Sequence, residues 1–323
     1  MRPLKFHPIL KQTLWGGERI IPYKELASEL SRVGESWELS GMPGSESVVA
    51  EGPWTGSTLP ELIGRFGAEL LGKANYARFG QEFPLLVKFI DAREDLSIQV
   101  HPDDELARKR HGKSGKCEMW YVLEAEPGAS LLPGFSRPIA PAEYERRVAD
   151  NTLTDVLNRQ AIASGDVFYL PAGRVHSIGK GSFIVEIQQS SDITYRIYDF
   201  DRRDAAGNSR ELHTELAREA IDFESSENSR ITYAPENNQE VRLVTTPYFT
   251  TSLYTLTART RCDWSATDSF VAIVLLQGSG SLTDNEGNRI DVRQGETWLL
   301  PASTQWTEIT PHTATLRLLT SRI

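Results

Sequence analysis

The sequence is poor in cysteine and has no long apolar run. Its 323 residues include only two cysteines, Cys117 and Cys262, too few and too far apart to indicate a disulfide framework. We therefore expect two reduced thiols in a cytoplasmic protein. The first 17 residues intersperse basic side chains among apolar ones, so they lack the continuous apolar stretch of a signal peptide. No other stretch is long and apolar enough to span a bilayer, and we expect no membrane partner.

The sequence also has fewer basic than acidic residues. Lysine and arginine total 35 against 44 aspartates and glutamates, which gives a formal net charge of -9. A global field of this sign argues against nucleic acid as the main partner. It does not exclude a small anionic substrate, because a few local cations outweigh distant charges that are screened by salt. The chain length allows one large domain or two ordinary ones.

Short β-strands dominate the predicted secondary structure. Runs of β-branched and aromatic residues, several of them bounded by turn residues, predict a mainly β protein. The predicted strands are residues 83–90, 96–100, 119–123, 167–170, 183–188 and 193–198. Helical patterns are few. They predict helices over residues 58–71, 141–158 (as one helix or two short ones) and 209–221.

An internal repeat predicts two similar barrels. Gly165 begins GDVFYLPAGRVHSI and Gly295 begins GETWLLPASTQWTEI. Each copy has the pattern of a glycine turn, a buried strand and a proline-stopped turn. Where the first copy has His176 the second has Trp306, so one barrel is predicted to keep a site that the other has lost. Between the copies, loop-forming residues predict a linker over residues 224–240, which separates domains over residues 1–223 and 241–323.

Four side chains near predicted strand ends have the chemistry of a metal site. In SIQVHPDD, Gln99 and His101 share one face of a strand, because alternate residues point the same way. Glu118 begins the strand EMWYVL and His176 follows the PAG turn. Each residue taken alone has an ordinary structural interpretation. A histidine is often hydrogen-bonded, a buried glutamine usually bonds to backbone, and a glutamate is often solvated or salt-bridged. Two imidazoles, one carboxylate and one amide oxygen together suit a divalent metal, and the spacing G-x5-P-x-G-x2-H is typical of the second cupin motif.

Several tracts together resemble the short form of the type I mannose-6-phosphate isomerases. The matching tracts cover most of residues 1–205: LWGG, GESWELS, FPLLVKFIDA, LSIQVHPDD, GKCEMWYVL, LPAGRVHSIG and VEIQQSSDITYRIYDFDR. The resemblance implies two cupin-type (jelly-roll) β-barrels with a few short helices, and a C-terminal barrel without metal ligands. It implies one zinc ion held by Gln99, His101, Glu118 and His176, with other divalent metals as alternatives. The implied activity interconverts mannose 6-phosphate and fructose 6-phosphate through an enediol, and we expect a monomer or weak homodimer.

The same resemblance assigns charged residues to catalysis and substrate binding. Arg196 lies in TYRIYD, where the family has its active-site arginine, and Lys116 lies two residues before the predicted carboxylate ligand. Lys88 interrupts an apolar strand, where a charge is costly unless it is paired or functional. Glu186 and a metal-bound water are both candidates for proton transfer. Ser97 shares a strand face with two predicted ligands and is a candidate hydroxyl donor to the phosphate.

Several alternatives stay open. Arg196 is the first choice for a phosphate clamp, but a salt bridge to Asp192 or Asp199 would make it structural. Longer family members have an RAG-type tract at the phosphate pocket where this chain reads RIYDFDR, so the rest of the clamp is not identified. Trp15 and Trp37 are predicted to pack in the core or at the barrel rim. For the whole chain, the alternatives are a related cupin isomerase or epimerase for another sugar phosphate, or a non-catalytic sugar-binding cupin.

Overall fold

The structure is a computed structural model that describes residues 1–204, 206–224 and 228–323. Strands dominate it, so the prediction of a mainly β protein is confirmed. The strands before residue 240 are β1 (Leu4–Lys5), β2 (Ile9–Gly17), β3 (Val33–Leu39), β4 (Gly41–Met42), β5 (Ser45–Glu46), β6 (Leu85–Ala92), β7 (Ile98–Val100), β8 (Glu118–Ala125), β9 (Ser130–Leu132), β10 (Gln160–Ala161), β11 (Val167–Leu170), β12 (Ser177–Ile178), β13 (Ser182–Gln189), β14 (Tyr195–Tyr198) and β15 (Arg230–Ile231).

The strands after residue 240 make a second group with little helix between them. They are β16 (Val241–Thr245), β17 (Thr250–Leu256), β18 (Thr260–Asp263), β19 (Val271–Gln277), β20 (Ser279–Asp284), β21 (Arg289–Arg293), β22 (Thr297–Leu300), β23 (Trp306–Pro311) and β24 (Leu316–Arg322). All six strands predicted before residue 200 are present, with ends that differ by a few residues.

The helices are short, and their ends follow from local sequence. They are α1 (Ile20–Tyr23), α2 (Leu59–Phe66), α3 (Ala68–Leu71), α4 (Lys73–Phe79), α5 (Asp104–His111), α6 (Pro141–Ala149) and α7 (Thr214–Ala220), with a 3-10 turn at Leu153–Val156. A capping box between Thr58 and Glu61 begins α2, and Gly67 ends it with a φ of 49°. The predicted helix over residues 58–71 is therefore two helices. Helix α5 was not predicted, because Ala107 is its one buried residue and the helix has no apolar stripe.

The N-terminal half encloses a core between one large sheet and two small ones. The large sheet has the order β15-β11-β8-β13-β6-β2-β3, and the small sheets are β10-β9-β12 and β14-β7. Side chains of β8 alternate between two environments, as a strand requires. Trp120 and Val122 face the interior of this half, whereas Met119 and Tyr121 face the C-terminal half. The interior face therefore carries the residues that can build a site.

The C-terminal half repeats this two-layer arrangement. A sheet of order β1-β22-β19-β24-β17-β16 lies over a sheet of order β18-β23-β20-β21, with an apolar core between them. Strand β22 pairs antiparallel with β19, as β11 pairs with β8, so the predicted repeat is confirmed as matching strand pairs. Trp306 begins β23 and is half-buried, with the guanidinium of Arg261 4.2 Å from its ring centre.

The two large sheets pack against each other through one continuous apolar cluster. Within it, the rings of Phe83 and Phe270 lie 4.8 Å apart. Two strands cross the predicted domain boundaries: β1 pairs with β22 of the C-terminal sheet, and β15, in the predicted linker, extends the N-terminal sheet. The division at residues 224–240 stays a prediction, and residues 225–227 of that linker lie outside the described residues.

The two cysteines lie in different halves of the molecule. Cys117 and Cys262 are both free and buried, and burial raises the pKa of each thiol, to about 12 for Cys262. Of the helices in the described ranges, none has the length and apolar character that crossing a membrane requires.

Candidate metal centre and active-site cleft

Three chain segments bring the predicted ligands together. Gln99 on β7 and His176 just before β12 form an isolated antiparallel bridge, in which each backbone N–H donates to the other residue's carbonyl, at 3.0 and 2.9 Å. His101 directly follows β7, and Glu118 is the first residue of β8. Segments separated by up to 77 residues therefore converge because of strand pairing at one end of the N-terminal core.

The converging side chains form a compact cluster. His101 Nε2 lies 3.4 Å from Glu118 Oε2, and His176 Nε2 lies 3.2 Å from Glu118 Oε1. One potential ligand atom from each of these residues falls within 4.8 Å of the others, and all three side chains are buried. Gln99 Nε2 is 3.4 Å from His176 Nε2. Rotation of that amide by half a turn exchanges nitrogen for oxygen, so Gln99 can offer an oxygen to the same cluster.

The histidines are oriented by their other ring nitrogens. Nδ1 of His101 donates to the carbonyl of Ile193 and Nδ1 of His176 donates to the carbonyl of Arg174, both at 2.8 Å. A protonated Nδ1 leaves Nε2 with its lone pair, which is the form that ligates metals. Burial lowers the pKa of both imidazoles, to about 3 for His101, where the nearby Lys116 ammonium lowers it further. Both rings are therefore neutral at pH 7.

Glu118 remains ionised in this buried position. Burial by itself raises a carboxyl pKa, but the Lys116 ammonium, 3.0 Å from Oε2, holds the pKa of Glu118 well below its usual range. In the part of the chain that the structure describes, His101 Nε2 and Glu118 Oε1 are buried without a hydrogen-bond partner, whereas Oε2 has the Lys116 ammonium beside it. Buried polar atoms are normally paired. These unpaired atoms converge on one point, and their chemistry fits a divalent cation.

A row of directly paired residues crosses the large sheet beside the cluster. Trp37, Lys88, Glu186 and Trp120 face one another in register on β3, β6, β13 and β8. Lys88 Nζ lies 3.0 Å from Glu186 Oε1 and 5.2 Å from the ring centre of Trp37. Burial alone lowers the pKa of Lys88, but attraction to Glu186 outweighs it, so the pKa is raised and the ammonium stays charged. Trp120 Nε1 donates to Glu186 Oε2 at 3.0 Å.

An open cleft of about 530 Å³, solvent included, joins these groups to the phosphate-clamp candidates. Arg196 is opposite Gln99 in the pairing of β14 with β7, and its side chain donates to the carbonyl of Glu211 at 3.0 Å. Burial and the neighbouring charge of Arg210 lower the pKa of Arg196. Ser97 lies in the same cleft and its hydroxyl is 3.4 Å from Gln99 Oε1. The residues lining the cleft are Trp15, Glu35, Lys88, Ile90, Leu96, Ser97, Gln99, Lys116, Ile178, Glu186, Thr194, Arg196 and Arg210.

The carboxylates considered as salt-bridge partners of Arg196 have other partners. Asp199 is paired with Arg202 and Arg210, and the exposed Asp192 is paired with Lys113. The sequence did not predict Arg210 as a cleft residue, since it lies between β14 and α7, where neither a strand nor a helix period orders the side chains. The sequence carried no signal for it: Asp199 requires paired cations because it is buried, and that burial is visible only in the structure.

Comparisons with known proteins agree with this geometry. A sequence model of the catalytic domain of type I phosphomannose isomerase matches residues 4–126. The Bacillus subtilis (strain 168) protein named probable mannose-6-phosphate isomerase GmuF is 34% identical over 303 residues, 93% of each chain. The Streptococcus mutans mannose-6-phosphate isomerase is 33% identical over 302 residues, 93% of this chain and 92% of its own. The crystal structure of the mannose 6-phosphate isomerase from Bacillus subtilis matches with a TM-score of 0.90 at 30% identity over 100% of both chains.

The structural match extends over both halves of the molecule, so the prediction of a mainly β, cupin-type fold is confirmed for the whole chain. The sequence matches likewise span the N-terminal half with the cluster and the C-terminal half without it. This chain belongs to the type I mannose-6-phosphate isomerase family.

Proposed function

We propose that this chain interconverts mannose 6-phosphate and fructose 6-phosphate. The observation that carries the proposal is the convergence, beside one cleft, of a buried His–Glu–His cluster, the Lys88–Glu186 pair and Arg196. Moving a proton between C1 and C2 of a sugar requires a base near carbon, an electrophile near oxygen and a hold on the distant phosphate. The cleft offers a candidate for each of these tasks.

The proposed metal is a single Zn²⁺ held by Gln99, His101, Glu118 and His176. Two neutral imidazoles and one carboxylate suit zinc, and other divalent ions of similar preference could replace it. When bound, such an ion polarises a carbonyl oxygen and stabilises the negative charge that develops on it. The Nδ1–H bonds to backbone carbonyls support this role, because they fix both imidazoles with Nε2 toward the cluster.

Glu186 is the proposed proton-transfer group. Its carboxylate is buried at the cleft wall, held by Lys88 on one oxygen and by Trp120 on the other. Each carboxylate oxygen has two lone pairs, so both contacts leave capacity to take a proton from C1 or C2 and return it to the other carbon. Lys116, whose ammonium lies between the cluster and the cleft, is placed to stabilise charge on the sugar oxygens.

The phosphate is proposed to bind Arg196, with Arg210 and the Ser97 hydroxyl beside it. A guanidinium can hold a phosphate through two parallel N–H bonds. The lowered pKa of Arg196 reflects burial and the repulsion of nearby arginines, and a bound dianion would relieve that repulsion. We further propose that the protein acts in the cytoplasm on a free sugar phosphate, as a monomer or weak homodimer.

A panel of aldose phosphates tests the function directly. We expect the zinc-loaded protein to turn over mannose 6-phosphate with the highest kcat/KM of the panel and to yield fructose 6-phosphate, while free mannose reacts poorly. Chelation should abolish turnover and added zinc should restore it. Preference for another sugar phosphate, or an epimeric aldose as product, would instead indicate a related isomerase or epimerase. Binding without turnover would indicate a non-catalytic protein.

A further inference from the structure

Trp120 connects the two chemical centres of the cleft. Its indole Nε1–H donates to Glu186 Oε2 at 3.0 Å. Its ring meets the imidazole of His176 edge to face, with ring centres 5.4 Å apart and planes at 75°. The side chain is fully buried in the N-terminal core. One rigid group thus contacts both the candidate proton-transfer carboxylate and a candidate metal ligand.

The sheet register makes this contact specific. Glu186 on β13 is directly opposite Lys88 on β6 and directly opposite Trp120 on β8. Trp120 is in turn opposite Phe168 on β11, which packs in the same cluster. An indole has two rotatable side-chain bonds, and this one is fully buried in a packed cluster. The indole N–H is therefore held in the direction of Glu186 Oε2.

The two contacts of Glu186 constrain it in different ways. The Lys88 ammonium supplies charge, but a flexible four-carbon stem carries it. The Trp120 N–H supplies a directed hydrogen bond from a side chain that cannot move without disturbing the core. Catalytic groups need placement to within fractions of an ångström, because small misplacements reduce rates strongly. The directed contact is the one suited to fix the carboxylate plane.

We propose that Trp120 is a positioning residue for the isomerisation, which holds the Glu186 carboxylate at a fixed place relative to the metal centre. The inference rests on the proposed function and adds a residue to it. Trp120 donates no proton to substrate and ligates nothing. Its N–H fixes Oε2, and its ring packs against His176, so carboxylate and metal ligand move as one unit.

The C-terminal half provides a matched control. Trp298 Nε1 donates to Glu296 Oε2 at 3.1 Å, and Glu296 also pairs with Lys5. This is the same trio of indole, carboxylate and ammonium, with a buried indole but a partly exposed carboxylate and ammonium, and it lies outside the cleft. Trp120→Phe and Trp298→Phe each remove one indole N–H and keep an aromatic ring. The two variants therefore remove the same kind of hydrogen bond and should differ in catalysis.

The experiment compares both variants with the wild-type zinc-loaded chain. For Trp120→Phe we expect kcat to fall about 10- to 100-fold, the range that losing a hydrogen bond to a charged group implies. KM should change less than about threefold, since no substrate contact is removed. Bound zinc should stay at the wild-type level. The deuterium isotope effect on kcat with C2-deuterated mannose 6-phosphate should rise, because proton transfer becomes slower. Trp298→Phe should keep wild-type kinetics.

Three outcomes would overturn the inference. The first is wild-type kcat in Trp120→Phe, and the second is a loss that follows metal content and is restored by excess zinc. The third is an equal kinetic loss in Trp298→Phe. If Trp120→Phe does not fold, Trp120→Met also removes the donor without supplying another and serves with the same expectations. If the wild-type protein does not isomerise mannose 6-phosphate, the proposed function fails by itself, which is a distinct result.

Discussion

At the scale of residues, the histidines of the cluster differ from the other histidines in their surroundings. His101 and His176 are buried with Nδ1 committed to backbone carbonyls, which leaves Nε2 for a ligand. His312, in the C-terminal half, is exposed. The three imidazoles are chemically identical. Burial and the hydrogen bond from Nδ1 to a backbone carbonyl therefore distinguish His101 and His176 from His312.

We expect His176→Ala to lose the metal. The substitution removes one imidazole and leaves Glu118 buried with less compensation, so zinc affinity should fall by more than about 100-fold, beyond the effect of altering an outer-shell partner. Metal content after dialysis and kcat should both fall, while His312→Ala should keep both. Full turnover by thoroughly metal-free wild-type protein would falsify the metal assignment.

Arg196 gives a second prediction at this scale. Arg196→Ala should stay folded and metal-loaded but lose roughly 100-fold in kcat/KM, because a hydrogen bond between charged groups contributes about 1.5–3 kcal/mol. Its preference for phosphorylated over free mannose should also collapse, since remote binding energy positions the reacting end. Steady-state kinetics with both sugars measures this.

The matched control for Arg196 is Arg218→Ala. Arg218 lies on α7, where it forms an exposed pair with Glu145, and it does not line the cleft. We expect its kinetics to stay at the wild-type level. If Arg196→Ala instead unfolds at a lower temperature with near wild-type kinetics, then Arg196 is structural and the phosphate binds elsewhere.

At the scale of elements, close packing at the end of β2 requires a glycine at the last position of the strand. A Cβ on Gly17 would lie 2.2 Å from the Asp91 carboxylate. That carboxylate accepts from the backbone N–H and the guanidinium of Arg19, at 2.7 Å each. The contact fixes the passage from β2 to α1 next to Trp15, which lines the cleft. The LWGG tract is thus explained by close packing.

Two glycine substitutions should therefore change the free energy of unfolding in opposite directions. Gly17→Ala should lower the free energy of unfolding by about 1–3 kcal/mol, because overpacking displaces the Asp91 carboxylate. Gly64→Ala should raise it by about 0.5–1 kcal/mol, since Gly64 is exposed within α2 and its Cβ would make only ordinary contacts. Denaturant titration measures both. A neutral Gly17→Ala would show that the strand end relaxes freely.

At the scale of the whole molecule, the C-terminal half covers the outer face of the large N-terminal sheet. The shared cluster joins residues of both large sheets, and β1 at the start of the chain pairs with β22 near its end. Trp306 stands where the first copy of the repeat has the predicted ligand His176, and its ring contacts the guanidinium of Arg261. We interpret this half as structural, with no metal of its own.

Removing the C-terminal half should lower the stability of the protein without changing its substrate specificity. A chain ended after residue 236 keeps β15 but exposes the apolar face of the large sheet, so we expect a lower unfolding temperature and aggregation. Phe270→Ala tests the same interface in the full chain, where loss of a buried phenylalanine contributes about 3–5 kcal/mol. Thermal unfolding and substrate-panel assays measure both. A truncated chain as stable and active as the whole contradicts this interpretation.

The sequence by itself determined what depends on local pattern. Runs of β-branched and aromatic residues predicted the six strands before residue 200, and the spacing around the PAG turn singled out His176. The four predicted ligands lie close together: Gln99 is on β7, His101 directly follows that strand, Glu118 begins β8 and His176 precedes β12. The charged candidates, Lys88 and Arg196 among them, also line one cleft.

Only the tertiary structure decided which distant residues face one another. Trp120 and Glu186 are 66 residues apart and meet because β8 and β13 pair in one register. A slip of one residue would turn either side chain to the opposite face. Arg210 reaches the cleft from a segment without periodicity, and Gly17 is required by a carboxylate 74 positions away in the chain. Local periodicity in the sequence predicts on which face of a strand a side chain lies. The packing between strands determines which residues that face contacts.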